Sequence, residues 1–587
     1  MTHSLVSIAD RVGHGVQLLY ANGVLHEVED SAGRRLRFAA TGAGRLGSVA
    51  VLRPDGRYTT LVRYEYDAEG RLAAAFDVCD HPFRFAYTGG VLTRETNRNG
   101  LSFYFEYDWY HPQGWCIRTW GDGGIYDRRI TYDKPRHVTV VDDSRGGRTH
   151  YFGDPRGVVV KRIDPVGGVW KYGWDESFRP VMEEDPLGGK TEWEYDARGN
   201  RTLERDALGH ETRWRYDAAG LDAAMTDAGG HEWTREHDAR GLLLRAVDPL
   251  GGAFEWHRDA RGNAVEVRDP SGRRALLRYD AAGELIEESD WEGNLTRYTV
   301  DDLGQVVGVE EPTGLRLALA YDPCGRIVRA DWSDGSSRSM AYDPQGNPTS
   351  QEDERGRVLR YRYIGMDRPA ERTGADGSVT RYLFDSEELL TGVINAGGER
   401  YEIEWSLGER VIAERGFDGR RTELRRNAAG RVVERVGADG RRCLVEHDPC
   451  GRVIGRTAKG AAERYRFDAR GLLVGAANAE REVGFERDAL GRVVAEESGG
   501  VTLRYGYDAG GRRATRASSL GGVVRYDHDG NGQLRGLAVV PTRPRRRTGG
   551  RCRCAATRAA SRSSAGCRGR WSRRGVATPG DSRSTSR

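Results

Sequence analysis

The sequence predicts an all-β protein: a long antiparallel β-ribbon of tandem two-strand units that coils on itself. Three observations predict it. A Tyr-Asp pair recurs every 21 residues, each period holds two Asp-x-x-Gly turns, and the strands between them alternate apolar and charged residues.

The period is clearest from Tyr195-Asp196. Steps of 21 lead forward to Tyr216-Asp217, His237-Asp238, Arg258-Asp259, Tyr279-Asp280, Val300-Asp301, Tyr321-Asp322 and Tyr342-Asp343. They lead back to Trp174-Asp175, Gly153-Asp154 and Tyr132-Asp133. The frame passes Phe384-Asp385 and returns at His447-Asp448. It then shortens through Phe467-Asp468, Arg487-Asp488, Tyr507-Asp508 and Tyr526-Asp527. Before Tyr132 it loosens, through Tyr66-Asp67 and Tyr107-Asp108. These spacings divide the chain into irregular repeats over 1–130, in-phase repeats over 131–455, shortened repeats over 456–540 and a different segment over 541–587. Repeats in phase over such a length mark stacking units and not separate cores.

The turns follow from their residues. Aspartate at the first position accepts from backbone N–H groups, and glycine at the fourth tolerates the exit geometry. The structural signature is therefore Tyr66, Asp67 and Gly70; Tyr195, Asp196 and Gly199; Tyr216, Asp217 and Gly220; Tyr279, Asp280 and Gly283; Tyr321, Asp322 and Gly325; Tyr342, Asp343 and Gly346; and Tyr507 with Asp508. A second turn lies half a period later, as at Asp164-Pro-Val-Gly167, Asp185-Pro-Leu-Gly188 and Asp248-Pro-Leu-Gly251. Two turns per unit leave two strands of about six residues, antiparallel because the connections are short.

The strand before each Tyr-Asp alternates. One column runs Tyr172, Trp193, Trp214, Arg235, Trp256, and the next Trp174, Tyr195, Tyr216, His237, Arg258, with Glu192, Glu194, Arg213 and Arg215 between. Period two places the aromatics on one face and the charges on the other. The return strand adds an aliphatic column, Leu244, Val265, Ile286, Val307 and Val328. Stacked units are expected to form aromatic ladders along the sheet. About 50 strands at roughly 4.8 Å make a ribbon on the order of 240 Å long and 20 Å wide. Strand twist forbids so long a sheet from staying flat, so it must wind and enclose a volume.

Composition agrees. Glycine reaches 79 residues and proline only 19, which favours tight turns over a Pro-rich coil. Lysine is confined to Lys134, Lys161, Lys171, Lys190 and Lys459, so arginine carries the positive charge, as in GC-rich coding sequence. No apolar run is long enough for a membrane helix, and Met1 to Asp10 lacks the pattern of a Sec signal. The eight cysteines are scattered, with no paired CxxC spacing, and read as reduced and structural. Cys324 and Cys450 each sit in a DPCG turn. From Pro541 onward there are 14 arginines against one acid, whereas the preceding residues carry 77 basic and 87 acidic groups. That tail reads as a frameshifted or variable terminus, or as a nucleic-acid-binding arm.

No motif carries chemistry. Asp527-His-Asp529-Gly-Asn531-Gly532 resembles the start of a calcium loop but has Ala538 at the twelfth position; it reads as a turn in the frame Tyr526-Asp527-x-x-Gly530. Recurrent carboxylates such as Asp164, Asp185, Asp206 and Asp227 fall at a fixed phase in turns. No HExxH, GxSxG or helix-opening GxGxxG occurs. No catalytic, cofactor or metal residue is expected, and the chain is not expected to be an enzyme.

The consensus in Tyr66-Asp67-Ala-Glu-Gly70-Arg71 and Tyr321-Asp322-Pro-Cys-Gly325-Arg326 resembles the YD repeat of the Rhs family over roughly residues 15 to 535. Arg118-Thr-Trp-Gly-Asp-Gly-Gly-Ile-Tyr126-Asp127 resembles a stretch of bacterial Rhs cores. The resemblance implies a spiral, cocoon-like shell related to toxin-complex C subunits and teneurins. It implies an enclosed C-terminal toxin as cargo, serving interbacterial competition. It also implies type VI export on a VgrG/PAAR spike, with an adaptor chaperone and a cognate immunity protein as partners. Localisation would be the bacterial cytoplasm before export, then secreted or cell-surface without a Sec signal. Carbohydrate binding by exposed aromatic ladders is the alternative. Three features depart from the family pattern: no PAAR-like domain precedes the repeats, no DPxG copy lies where the shell cleaves itself, and no recognisable toxin follows. The chain therefore resembles a truncated core.

Overall fold

A computed structural model describes residues 5–540. The readings of the Arg-rich segment from Pro541 to Arg587 lie outside the described residues, as do Cys552, Cys554 and Cys567 and the first four residues of the signal reading. Fifty-one strands form one continuous antiparallel meander, each pairing with its neighbours in sequence from Ser7–Ala9 to Leu534–Val540. No α-helix occurs among the described residues; two single 3₁₀ turns, Asp122–Gly124 and Lys134–Arg136, interrupt the pattern.

The unit is a strand of six residues and one of five, as in Lys190–Tyr195 and Arg201–Arg205. The odd period has a physical cause. Glu194 pairs with Leu203 but Tyr195 pairs with Arg201, so Thr202 is an extra residue in a β-bulge. Leu244, Val265, Ile286, Val307 and Val328 are the extra residues of the following units. The aliphatic column seen in the sequence is thus the bulge column. A bulge adds local twist, and one placed identically in nearly every unit supplies the curvature that coils the ribbon; the unit of Tyr132, whose strands pair in unbroken register, is an exception.

The charged face hides its own core. Leu203, Ala224, Ala413 and Ala495 are almost fully buried. They pair with Glu194, Arg215, Glu404 and Glu486, whose long side chains share their face. Small residues under the stems of long charged ones bury apolar area without a second layer. Strands such as Arg316–Tyr321 alternate exposed and half-buried residues, with the aromatics half-buried.

Two expectations are corrected. Continuous aromatic ladders do not form, because like strands are two apart, roughly 9.6 Å, with the return strand between them. Ring pairs are local, such as Tyr361 with Tyr363 at 6.5 Å, and arginines fill the intervals: Arg201 lies 4.3 Å from the Trp214 ring centre and Arg326 lies 5.0 Å from that of Tyr342. The frame Tyr526-Asp527-x-x-Gly530 is also wrong. The strand Val523–His528 runs through Asp527, and the turn is Asp529 to Gly532. His528 occupies the bulge-side position that Tyr507 holds one 21-residue step earlier, so the full period is restored there.

Candidate functional site

The consensus residues form one repeated device. Asp196 Oδ1 accepts from the N–H groups of Arg198 and Asn200, both at 2.9 Å, and Gly199 N donates to Asp196 O at 3.0 Å. Asp217, Asp280 and Asp508 hold their turns the same way. Gly70, Gly199, Gly220, Gly283, Gly325 and Gly346 all have φ between 79° and 98°, which a side chain would strain.

The signature tyrosines are ties. Tyr66 donates to Leu46 O, Tyr195 to Pro180 O, Tyr216 to Arg201 O, Tyr321 to Val306 O, Tyr342 to Ile327 O and Tyr507 to Val493 O, at 2.6–2.9 Å. Each hydroxyl reaches past the bulge to the preceding return strand. Trp174 and Trp405 make the same bond through the indole nitrogen, and Arg258 and Arg426 through Nε. Tyr279 stands half-buried in the same column. What the sequence shows as an aromatic column is a donor column, which is why arginine can enter it.

The arginine that ends the consensus joins neighbouring units. Arg326 Nε meets Asp322 Oδ2 at 2.6 Å, its Nη1 donates to the next turn at Asp343 O, 2.8 Å, and its guanidinium packs on the Tyr342 ring. Arg179 and Arg512 repeat both polar contacts.

The two edges of the ribbon meet along a seam. One edge carries the Tyr-Asp turns and the other the half-period turns. Half-period turns of one coil touch Tyr-Asp turns of the next: Arg34 meets Glu284 at 3.2 Å, Arg53 meets Asp302 at 2.9 Å, Asn99 meets Asp343 at 2.9 Å, Arg431 meets Asp185 at 2.6 Å and Asn531 meets Asp290 at 2.6 Å. The tips interdigitate. The turn at Asp164 lies between those beginning at Ser406 and Asn427, 242 and 263 residues further on, with Val166 against Gly408 and Gly168 against Ala428. One revolution therefore takes about 12 units, and at ~4.8 Å per strand its girth is on the order of 115 Å. Residues 5–540 make just over two revolutions.

The most buried polar node lies on this seam. Glu387 and Glu388 occupy one turn, nearly inaccessible to solvent. Glu387 accepts from Ser144 N and Oγ and pairs with Arg128; Glu388 accepts from Met366 N and pairs with Arg368. Tyr126 N donates to Ser386 O. In the segment that resembles Rhs cores, Arg118 grips Asp127 through two contacts of 2.8 Å. Each carboxylate is matched by donors, so the node fastens the seam.

A second cluster brings together residues the sequence scatters. Asp77 Oδ1 accepts from Cys79 N and His81 N, and Cys79 Sγ lies 3.4 Å from Cys324 Sγ across the seam. Nothing in the spacing signals this, because the partners are 245 residues apart.

Comparison with known proteins places the repeat. The RHS Repeat family matches residues 258–295, which begin at the Arg258 tie and span the following unit. Residues 258–295 thus carry an RHS repeat. No curated protein matches this chain in sequence. Among solved structures it is similar to TcdB2–TccC3, at TM-score 0.57 and 13% identity, over 90% of this chain and 40% of that one. It is also similar to TcdB2–TccC3–Cdc42, at TM-score 0.51 and 13% identity, over 89% and 35%. A Photorhabdus luminescens Tc holotoxin pore with a substituted TccC3 matches at TM-score 0.52 and 13% identity, over 89% and 34%. At that identity the likeness is one of fold, a spiral YD-repeat shell. This chain spans little more than a third of the solved chains it matches.

Proposed function

We propose that this chain is the wall of a container that encloses a polypeptide toxin and performs no chemistry itself. The observation that carries the reading is the seam, which runs from Arg34–Glu284 to Asp290–Asn531 and joins one coil to the next. A ribbon closed edge to edge separates two spaces, and an unfolded or folded cargo on one side is shielded from proteases on the other. No helix among the described residues is long and apolar enough to cross a membrane. The polar atoms of the aromatic columns are used within the repeat, as at Trp193 Nε1 with Glu204, which favours packing over sugar stacking. We extend the reading to export from a bacterial cytoplasm, by a type VI spike of VgrG and PAAR proteins, with an immunity protein guarding the producer. Electron microscopy of the purified chain tests the wall: a hollow coil of about 12 units per revolution supports it, and a solid or extended particle refutes it. Protection of a fused, protease-sensitive cargo tests the enclosure.

A further inference from the structure

Two cysteines face each other across the seam on turns of different coils. Cys79 stands in the half-period turn that begins at Asp77, and Cys324 in the DPCG turn that begins at Asp322. Their sulfurs are 3.4 Å apart, too far for a bond of about 2.05 Å. Two thiolates on a tetrahedral zinc, with Zn–S near 2.3 Å, keep about 3.8 Å between them.

The ligand set extends beyond the thiols. Asp77, Cys79 and His81 each offer a ligand atom within 4.8 Å of the others. One carboxylate holds the N–H groups of both Cys79 and His81, so the two side chains project from a single fixed turn. His81 Nδ1 is shielded and makes no hydrogen bond; Asp77 Oδ2 stands 3.5 Å away. Two turns of the same design differ: His210 Nδ1 bonds Asp206 at 3.0 Å and His231 Nδ1 bonds Asp227 at 3.1 Å. Of these three turns, the one that faces the second thiol is the one whose ring nitrogen is left unused. The Asp206 turn also receives a DPCG cysteine, Cys450, but carries Leu208 where the first has Cys79, so it offers one thiol.

We infer that Cys79, His81, Cys324 and Asp77 form a site for a zinc-class divalent cation that fastens the first coil to the second. Two thiolates and an imidazole are borderline-soft donors and suit zinc over calcium or magnesium. Arg98 Nε lies 3.2 Å from Asp77 Oδ2, and Arg326 flanks Cys324, so the sulfur and nitrogen ligands carry most of the bonding and Asp77 or water completes it. Binding releases the thiol protons. Each proton released makes binding tighten as pH rises.

Cobalt titration of the full chain, reduced and freed of metal, tests the site. One cobalt per chain is expected, with thiolate charge-transfer absorption and tetrahedral visible bands, and zinc should abolish both. Cys79→Ser and Cys324→Ser should each weaken binding at least about 10-fold, while Cys450→Ser leaves it unchanged. Absence of the thiolate band in folded wild-type protein overturns the site, as does a band that survives both substitutions. A Cys79–Cys324 disulfide forming in place of metal binding also overturns it. X-ray absorption of zinc-loaded wild type supplies a readout independent of the variants: two sulfurs per zinc supports the site, and fewer refutes it.

Discussion

Tyr342 Oη donates to the carbonyl oxygen of Ile327 at 2.9 Å while its ring lies against the Arg326 guanidinium. One side chain thus ties the bulge of the unit before and receives the arginine of that same unit. Tyr342→Phe removes the bond and keeps the ring. It should cost about 1 kcal/mol, the net worth of such a bond. Hydrogen exchange should quicken in the strands Ile327–Trp332 and Ser337–Tyr342 and leave distant units unchanged. Uniform loss of protection would count against a local tie. Phe384 already fills this column, and removing its ring should show only the packing component.

Two turns carry glutamate where the consensus has glycine, and they should respond with opposite signs. Glu409 has φ +56° and is exposed, so Glu409→Gly relieves left-handed strain and should raise stability by up to about 1 kcal/mol. Glu388 has φ +53°, yet its carboxylate holds Met366 N and Arg368, so Glu388→Gly should destabilise despite the easier backbone. Urea midpoints of the two variants moving the same way would refute the distinction.

Acid should loosen the turns first. The backbone N–H of Arg179 and its guanidinium hold Asp175 below the usual carboxylate range, and the N–H of Leu221 does so for Asp217. The Arg357 guanidinium brings Asp353 down to about 2. A depressed folded-state pKa contributes stability that is full above about pH 4 and lost as pH falls toward 2. Thermal midpoints should therefore be flat from pH 7 to about 5 and fall steeply below about 4.

Among the described residues, the terminal strands are the places where the sheet has an unpaired edge. Ile8, Leu537 and Val539 are exposed on them. Apolar edges invite pairing with another chain. Ile8→Lys together with Val539→Lys should suppress concentration-dependent light scattering, whereas a charge added on the interior strand Arg316–Tyr321, paired on both sides, should leave it unchanged.

The fold was legible because its cause is local. Tyr195-Asp196 and Asp185-Pro-Leu-Gly188 fix turn, strand length and pairing within 21 residues. The bulge was hidden because Thr202 and Ile286 look like any other strand residue until register is known. The seam was hidden because Arg431 and Asp185 meet only after twist has accumulated over some 24 strands, and no local pattern encodes that sum. Cys79 and Cys324 are the clearest instance.

The half-step offset of the tips makes the wall behave like a gear. Each half-period tooth sits in the gap between two teeth of the next coil, as Asp164 sits between Ser406 and Asn427. Inserting one whole unit of 21 residues between Asp185 and Cys324 would leave every local turn intact and still advance all later teeth by one gap. Arg431 would then miss Asp185, and Cys324 would miss Cys79. A solenoid that touches only adjacent repeats can grow by duplication; this one is length-locked, so gain or loss of units must come at its open ends or in whole revolutions.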